Sequence, residues 1–280
     1  MSLNTMYQWA RMLPGVRSLL QWSYGRRFAR QGNDLNGYWG VFPTFASAVA
    51  HAPTTRPVGY DNAEGAALYA ARTRYVLACD YPAIFWLERL LREGARSVFD
   101  LGGHIGIKYY AFQRYLEYPS DLRWTVCELP TIAAAGAAWA RDHDAGNRIG
   151  FTPNGDDASG QDVLFASGSL QYLDYTLAGL LDRLDEPPRH ILINVLPLHP
   201  QKSFFTVQNM GTHYCAYRVQ AMGEFIDGLK QRGYEMRDHW DQLDRSCDIP
   251  FHPDCKVEKY RGFVFSRTGA RATDEKAFPG

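Results

Sequence analysis

From Ser97 to Arg267 the sequence alternates between short apolar runs and longer segments in which apolar residues recur at helical spacing. The runs that indicate strands are SVFDL (97–101), WTVCEL (124–129), RIGFTP (148–153), DVLFAS (162–167), HILINVL (190–196), YEMRDHW (234–240) and RGFVFSR (261–267). Helical patterns lie between them at 107–116, 131–143, 177–184 and, through Val219, Met222, Ile226 and Leu229, up to Gly233. Strands that alternate with helices form a parallel sheet with right-handed crossovers.

This alternation predicts an α/β fold, with a doubly wound, seven-stranded and mainly parallel Rossmann-like sheet. The last two runs have no helix between them, so we expect an antiparallel hairpin and an antiparallel strand at one edge. Ligands of such sheets bind outside the carboxyl ends of the strands, where the strand order switches. The loops at that edge are therefore the ones in which to look for chemistry.

The first 94 residues lack this alternation of strands and helices, and their pattern predicts an N-terminal and mostly helical cap on the substrate side. Residues 34–60 are rich in Gly, Pro and aromatic residues and indicate an irregular connection. An Ala-rich helical pattern runs from Ala63 to about Ala78, and a second helix starts at Tyr81-Pro82 and ends near Gly94. We expect residues 95–268 to form the ligand-binding domain and 269–280 a C-terminal tail.

Basic and acidic residues number 30 each, which argues against a generally basic protein that binds nucleic acid. The balance hides an asymmetry, because the first 33 residues contain five arginines and no acid. Such a basic amphipathic segment could lie on an anionic membrane surface or dock on a partner. The alternative is a helix packed on its own domain with its arginines in water.

Five cysteines, at 79, 127, 215, 247 and 255, form no Cys-x-x-Cys pair and fit neither a disulfide framework nor a zinc ribbon. No apolar stretch is long enough to span a bilayer, and Arg11, Pro14 and Arg17 interrupt any secretory signal. A cytoplasmic location is the simplest interpretation, with the cytoplasmic face of a membrane left open. The oligomeric state is also open, and a homodimer is compatible with the sequence.

The first strand runs directly into a glycine-rich turn, DLGGHIG (100–106), that opens a helix. Such a turn is typical of a nucleotide site. A dinucleotide fingerprint, Gly-x-Gly-x-x-Gly, aligned on Gly103 and Gly106 would need a glycine where Leu101 stands. The carboxylate of Asp100 would also repel a pyrophosphate.

A carboxylate at this point suits a ligand with an ammonium or sulfonium group, and S-adenosylmethionine has both. The second strand ends at Glu128, where two carboxylate oxygens can accept hydrogen bonds from both ribose hydroxyls. Glu128 supports any adenosine-type ligand. Asp100 and the glycine spacing favour S-adenosylmethionine over a nicotinamide cofactor.

The segments DLGGHIG (100–106), ELP (128–130), SGSLQYL (167–173) and YRGFVF (260–265) resemble those of class I S-adenosylmethionine-dependent methyltransferases over residues 95 to 267. With YWGVFPTFASA (38–48), the chain more narrowly resembles a bacterial methyltransferase family associated with polysaccharide or lipopolysaccharide biosynthesis loci. The resemblance implies S-adenosylmethionine as the cofactor. The cofactor-binding residues that it implies are Asp100, Gly102, Gly103, His104, Gly106, Glu128, Leu129, Asp156, Asp157, Ser167, Gly168 and Ser169.

On the acceptor side, His199 and His213 are the candidates for a general base, and for each the alternative is an ordinary loop histidine with no catalytic role. Side chains that could orient an acceptor are Gln171, Tyr172, Gln208 and Tyr214. Ser-Gly-Ser-Leu after the fourth strand departs from the Asn/Asp-Pro-Pro-Tyr of enzymes that methylate adenine or glutamine nitrogen. We therefore expect methylation of a small or glycan-like acceptor, with a hydroxyl favoured and the nitrogen of a natural-product-like acceptor as the alternative.

Other functional classes have less support in the sequence. CDIPFHPDC (247–255) groups five residues that bind metals elsewhere, but their spacing matches no standard zinc site, so we expect no metal. Motifs of P-loop NTPases, zincins and α/β-hydrolases do not occur. A nicotinamide-dependent oxidoreductase and a non-catalytic binding module remain as alternatives of another class.

Overall fold

The computed structural model describes residues 14–30, 37–61, 70–144 and 146–267, and within these ranges it contains seven α-helices and ten strands. The helices are α1 (Pro14–Ala29), α2 (Phe45–Ala50), α3 (Tyr81–Arg92), α4 (Ile107–Phe112), α5 (Pro130–His143), α6 (Leu177–Leu181) and α7 (Met222–Lys230). The strands are β1 (Tyr38–Phe42), β2 (Ser97–Leu101), β3 (Arg123–Cys127), β4 (Ile149–Thr152), β5 (Val163–Ser167), β6 (His190–His199), β7 (Phe204–Asn209), β8 (Tyr214–Ala221), β9 (Tyr234–Gln242) and β10 (Tyr260–Arg267).

All ten strands belong to one mixed sheet, in which β4, β3, β2, β5 and β6 are parallel neighbours in that order. The antiparallel strand β10 pairs with β6 on one side and with β9 on the other. The expected terminal hairpin is thus confirmed, but its antiparallel strand lies between β6 and β9, and β9 forms the edge. From β2 the chain adds β3 and β4 on one side of the sheet and then β5 and β6 on the other side. The switch point in strand order therefore lies between β2 and β5.

Three strands that the sequence did not predict extend the sheet beyond the expected seven. The pairing of β6 with β10 ends at Pro197, and the last two residues of β6, Leu198 and His199, pair with Gln220 and Ala221 of β8. From there the order continues through antiparallel pairs to β7 and β1. The N-terminal region therefore contributes a strand as well as helices.

Two apolar clusters cover the two faces of the central sheet. One packs α3 and α4 against side chains of β2 and β3, including Val98 and Trp124. The other packs α6 and α7 against side chains of β5, β6 and β10, including Leu164 and Phe263. Apolar residues on both faces explain why the central strands are nearly continuous apolar runs.

A smaller aromatic cluster holds α1 against the outer strands. Phe28 is fully buried and stacks on Tyr214 of β8, with ring centroids 5.5 Å apart, and on Trp39 of β1 at 6.1 Å. The opposite side of α1 is open, since Leu19 and Trp22 are 63% and 58% exposed. The expected N-terminal helix is present over residues 14–29, while 1–13 and 31–33 of the basic segment lie outside the described residues.

The local signals in the sequence located most helices well. Pro82 stands in the first turn of α3 and Gly94, with φ +105°, follows its end, as expected. The predicted helix over Ala63–Ala78 is wrong in its described part, because Ala70–Arg74 and Ala78–Asp80 form separate 3₁₀ turns. Residues 62–69 of that prediction lie outside the described residues.

Candidate functional site

The turn between β2 and α4 brings three glycines close to neighbouring side chains. Gly102 and Gly106 have φ values of +77° and +85°, in the left-handed region that glycine tolerates best. A Cβ atom on Gly102 would overlap the side chain of Ser169, and one on Gly103 would overlap the carboxylate of Asp100. The turn therefore requires glycine for its shape, because the side chains of Ser169 and Asp100 fill the space beside Gly102 and Gly103.

The carboxylate of Asp100 is buried beneath this turn, with the residue 1% exposed. Its Oδ2 accepts a hydrogen bond of 3.1 Å from Nε1 of Trp124 on β3. Burial raises the pKa of Asp100 to about 7, while the Trp124 hydrogen bond and the Lys108 ammonium oppose the shift. Asp100 is thus a carboxyl group whose charge changes near neutral pH.

Glu128 follows β3 and joins the end of that strand to the glycine turn. Its Oε1 accepts a hydrogen bond of 3.0 Å from the backbone N–H of His104, and its Oε2 accepts one of 3.0 Å from the N–H of Leu129. Each oxygen keeps a second lone pair for another donor. Burial raises the pKa of Glu128, against these two backbone hydrogen bonds. Leu129 beside it is an exposed apolar side chain.

The residues after β5 close the other side of the glycine turn. The hydroxyl of Ser169 donates to the carbonyl of Leu101, and Gly168, with φ +72°, donates its N–H to the carbonyl of Asn194 at 2.9 Å. The hydroxyl of Ser167 lies 3.4 Å from Nδ2 of Asn194. All three predicted residues of this segment therefore lie between the turn and β6.

A buried polar cluster that the sequence reasoning missed lies beside these residues, and it consists of Asp80, Lys108, Asn194, Trp240 and Gln242. The ammonium of Lys108 lies 2.6 Å from Oδ1 of Asp80, and Nδ2 of Asn194 donates to the carbonyl of Cys79 at 3.0 Å. Oδ1 of Asn194 accepts from Trp240 at 3.2 Å and from Gln242 at 2.5 Å. One feature of the sequence could have indicated this cluster, because Asn194 is a polar residue inside the apolar run HILINVL.

Tyr60 brings His213 and His104 together above the glycine turn. The centroid of its ring is 5.9 Å from that of His104 and 5.2 Å from that of His213. His213 is 1% exposed, its Nδ1 is 2.9 Å from the hydroxyl of Thr212, and its buried Nε2 has no hydrogen-bond partner among the described residues. Burial lowers the pKa of His213, so the ring is a neutral base at neutral pH.

His199 has a different environment at the end of β6. Its Nδ1 accepts hydrogen bonds from the backbone N–H groups of Gln201 at 3.1 Å and Lys202 at 3.0 Å. These bonds hold the turn between β6 and β7. The geometry therefore separates the two candidate histidines, since only the ring of His213 contacts Tyr60 in the described contacts.

The four candidate acceptor residues divide into two groups. Gln171 is buried in the 3₁₀ turn after β5, and the hydroxyl of Tyr172 in the same turn donates to Oε1 of Gln208 at 2.9 Å. Tyr214 instead lies in the aromatic cluster under α1, and its hydroxyl contacts Thr55 at 3.0 Å. The structure thus brings Gln171, Tyr172 and Gln208 together and leaves Tyr214 apart from them.

Asp156 and Asp157 occupy the 3₁₀ turn after β4, one strand further from Glu128. Oδ1 of Asp156 is 3.1 Å from Nε of Arg183, whereas Asp157 accepts hydrogen bonds from Thr152 at 2.6 Å and Asn154 at 3.0 Å. Both oxygens of Asp157 are engaged by its own turn, whereas only Oδ1 of Asp156 has a described partner, so Asp156 is the better placed of the two to accept a further hydrogen bond.

Two further properties concern the described part of the chain alone. No helix in it is long and apolar enough to cross a membrane. Within the same ranges no three His, Cys, Asp or Glu side chains are grouped so as to hold a metal ion, and all five cysteines are free and buried.

No known protein family matches the sequence, and no curated protein matches it. Solved structures do show similarity of fold. A 1,6-didemethyltoxoflavin-N1-methyltransferase from Burkholderia thailandensis, bound to 1,6-didemethyltoxoflavin and S-adenosylhomocysteine, is 19% identical with a TM-score of 0.45. The similarity covers 68% of this chain and 79% of that one.

Two other structures have similar scores. The mitomycin 7-O-methyltransferase MmcR is 14% identical with a TM-score of 0.42, over 92% of this chain and 70% of that one. The N-terminal domain of EvdMO1, determined in the presence of S-adenosylhomocysteine and D-fucose, is 11% identical with a TM-score of 0.47, over 69% and 84%. With TM-scores below 0.5, these similarities do not assign a cofactor or an acceptor to this chain.

Proposed function

We propose that this protein is a methyltransferase that uses S-adenosylmethionine. The observation that carries the proposal is the pairing of Glu128 with the glycine turn, through its hydrogen bond from the N–H of His104. This pairing puts the backbone of the glycine turn and a carboxylate with free lone pairs at the ends of adjacent strands, on one side of the switch point. Both are needed to hold an adenosine and an amino-acid portion of one ligand.

The chain's own residues fit such a cofactor. Gly102, Gly103 and Gly106 allow the tight turn whose backbone would meet its amino-acid portion, and the carboxylate of Glu128 suits the ribose hydroxyls. Leu129 offers an apolar side chain for one face of the adenine, and Asp156 follows the next strand as a candidate for its amino group. When bound, the cofactor would supply a methyl group that bonds to the acceptor as the bond from methyl to sulfur breaks and S-adenosylhomocysteine leaves.

Asp100 has an indirect role in this proposal. A carboxylate with a pKa near 7 in a buried position is stabilised in its charged form when a cation binds close to it. We infer that Asp100, which lies directly beneath the glycine turn, favours binding of the ammonium and sulfonium groups of the cofactor. Ser167, Gly168 and Ser169 lie on the other side of the same turn.

The test is a calorimetric titration of the full chain with S-adenosylmethionine, S-adenosylhomocysteine and NAD. We expect binding of the first two and none of NAD, because Leu101 replaces a glycine of the dinucleotide turn and Asp100 lies beneath it. Binding of NAD alone would support the oxidoreductase alternative. Binding of S-adenosylmethionine without transfer to any acceptor would support a non-catalytic binding module.

For the acceptor we propose a hydroxyl on a small or glycan-like molecule, and the environment of His213 supports this choice. A hydroxyl loses its proton as the new O–CH₃ bond forms, and a neutral imidazole can take that proton. Nε2 of His213 is buried without a partner among the described residues and the ring contacts Tyr60. Tyr60 belongs to the N-terminal region, which supports residues 1–94 as a cap over the domain 95–268.

The sequence also resembles a methyltransferase family associated with polysaccharide and lipopolysaccharide loci. We therefore propose in addition that the protein is a cytoplasmic enzyme that acts at the membrane surface. The open side of α1 presents Leu19, Trp22 and Arg26, with the Arg26 guanidinium 4.9 Å from the Trp22 ring centroid. Tryptophan, leucine and arginine on one face are typical of helices at an anionic interface. Sedimentation with anionic liposomes of the chain with and without residues 1–33 tests this, and equal pelleting would contradict it.

A further inference from the structure

An exposed aromatic surface lies over the first turn of α3 and beside the residues that follow α4. It consists of four side chains that are each about half exposed: Tyr75, Tyr81, Phe85 and Tyr115. The rings of Tyr81 and Tyr115 meet edge to face with centroids 5.7 Å apart. Tyr75 follows Arg74, whose carbonyl accepts a hydrogen bond from Arg114 beside Tyr115. The four rings expose on the order of 400 Å², which is typical of the largest apolar patch on a monomer, and such patches mark interaction sites.

One row of residues on α3 carries both aromatic and cationic side chains. Tyr81, Phe85 and Arg89 follow one another at intervals of four residues, so they lie one above the other on one side of the helix. Phe85 has the most exposed ring of the aromatic surface, at 57%, and the side chain of Arg89 is 53% exposed. The row therefore has an aromatic ring at one end, a second ring at its middle and a guanidinium at the other end.

Neighbouring side chains hold Arg89 in place. Its Nε is 2.9 Å from Oε1 of Glu93, and its guanidinium lies 5.3 Å from the ring centroid of Trp86. Arg237 fixes the same two neighbours, because it pairs with Glu93 at 2.7 Å and lies 5.0 Å from the centroid of Trp86. A side chain that is already ordered loses little freedom when a second ring covers its outer face.

We propose that this protein forms a homodimer in which α3 packs antiparallel on α3 of a second copy, about a two-fold axis near Phe85. A two-fold interface requires one surface to fit itself, so that residue i contacts residue j and j contacts i. An antiparallel copy of the row places Phe85 on the partner's Phe85 and Tyr81 on the partner's Arg89. The aromatic end of each helix thus meets the guanidinium end of the other, and the dimer contains this cation–π contact twice.

The order of residues in the row favours a second copy as the occupant of this surface. An acidic partner would pair with Arg89 and place carboxylates against the rings of Tyr81 and Phe85. An apolar partner would cover the rings and take the guanidinium out of water without a counterpart. A second copy offers a ring to each guanidinium and a guanidinium to each ring. Rows of residues four apart are also the ridges that interlock in the commonest packing of two helices.

The available area is in the range that a stable dimer needs. Each partner in a standard interface buries about 800 Å², and the aromatic surface supplies about half of this. The stems of Arg89 and Arg92, whose side chains are 53% and 78% exposed, extend the surface along α3. Tyrosine, phenylalanine and arginine are also the side chains in which the centres of protein interfaces are enriched. The proposal does not depend on the proposed methyltransferase function.

The experiment measures the mass of the full chain by sedimentation velocity from low to high micromolar concentration. We expect a reversible dimer of twice the 31.8 kDa chain mass. Phe85→Arg puts like charges at the two-fold axis and should weaken the dimer by about tenfold or more. Because Phe85 is exposed, the thermal unfolding of the variant should remain cooperative. Leu19→Arg, at an exposed apolar position of α1, is the matched control and should dimerise as the wild type does.

A charge exchange tests the antiparallel arrangement itself. Tyr81→Arg places a guanidinium against the partner's Arg89 and should dissociate the dimer. The double variant Tyr81→Arg/Arg89→Tyr reverses both members of the pair and should restore it, which an interface elsewhere on the molecule would not do. A wild-type chain that is monomeric at every concentration, a dimer that persists in Phe85→Arg, or a double variant that stays monomeric would overturn the proposal. Loss of the dimer in Leu19→Arg alone would place the interface on α1 and overturn it as well.

Discussion

The indole Nε1 of Trp124 donates a 3.1 Å hydrogen bond to Oδ2 of Asp100, and so ties the start of β3 to the end of β2 directly beneath the glycine turn. Both residues are buried, and the carboxylate also occupies the space that a side chain on Gly103 would need. The conformation of the turn therefore depends on an acid whose pKa of about 7 lies within the physiological range.

This pKa makes the stability of the protein depend on pH in a defined direction. The unfolded chain releases the Asp100 proton near pH 4, whereas the folded protein holds it up to about pH 7. The free energy of unfolding should therefore fall as pH rises between these two values and level off above pH 7. The contribution between pH 5 and pH 8 is on the order of 2 kcal/mol.

Asp100→Asn should remove that pH dependence because its amide does not titrate. The measurement is urea unfolding of wild type and variant at pH 5, 6, 7 and 8, compared as a difference so that other groups cancel. Asp142→Asn, at an exposed position of α5, is the control and should follow the wild type. Parallel curves for wild type and Asp100→Asn would show that the Asp100 pKa is not raised.

Cofactor binding should depend on the same ionisation. Binding of a cation near Asp100 favours its charged form, so the affinity for S-adenosylmethionine should rise several-fold from pH 5.5 to pH 7.5. S-adenosylhomocysteine lacks the sulfonium charge and should show a weaker rise. Calorimetric titrations of both ligands at these two pH values provide the comparison, and Asp100→Asn should flatten both. A steeper rise for S-adenosylhomocysteine would contradict the role proposed for Asp100.

The residues of the proposed cofactor site could be placed beside one another from the sequence because they lie in contiguous segments. DLGGHIG and the acid at Glu128 each follow a strand that its apolar residues make recognisable, and parallel strands bring their carboxyl ends to one edge. The register then follows from the fold: Leu101 pairs with Cys127, so the turn and Glu128 are neighbours. These positions needed no knowledge of tertiary contacts.

The residues of the proposed acceptor side were harder to group from the sequence because they meet only through the fold. β7 and β8 contain polar residues such as Gln208 and Arg218 among the apolar ones, and β7 pairs both with β8 and with β1 from a distant part of the chain. The buried cluster around Asn194 likewise joins residues more than 100 positions apart. Local patterns carry no information about such contacts, which is why His199 and His213 looked equivalent in sequence and differ in structure.

Glu128→Gln should weaken cofactor binding by about 10- to 100-fold, because a neutral amide loses the charge in its hydrogen bonds to the ribose and to the N–H of His104. The readout is the calorimetric Kd for S-adenosylhomocysteine. Glu117→Gln, at an exposed position after α4, is the matched control and should bind as the wild type does. An unchanged Kd for Glu128→Gln would remove Glu128 from the site.

Gly102→Ala should destabilise the protein by about 1–3 kcal/mol, because a Cβ there combines a positive φ with overlap of the Ser169 side chain. Gly150→Ala is the control, since a Cβ on that residue of β4 meets no atom within 4 Å. Urea unfolding compares the two variants. Equal stabilities would mean that the turn relaxes to accept a side chain, and a cofactor affinity retained by Gly102→Ala would show that the backbone approach is not required.

Substitutions of His213 and His199 should have different effects on kcat with any acceptor that the protein methylates. His213→Gln removes a neutral imidazole whose Nε2 is free to take a proton, and with a hydroxyl acceptor it should lower kcat by about 10²- to 10⁴-fold. Because burial lowers the pKa of His213, the wild-type rate should already be level above pH 7. His199→Gln should leave kcat within a few-fold and lower stability instead, since the Nδ1 of His199 holds the turn after β6. A small effect of His213→Gln with a tight-binding acceptor would indicate that the nucleophile is an amine, which needs no base, and would exchange O-methylation for N-methylation in the proposed reaction.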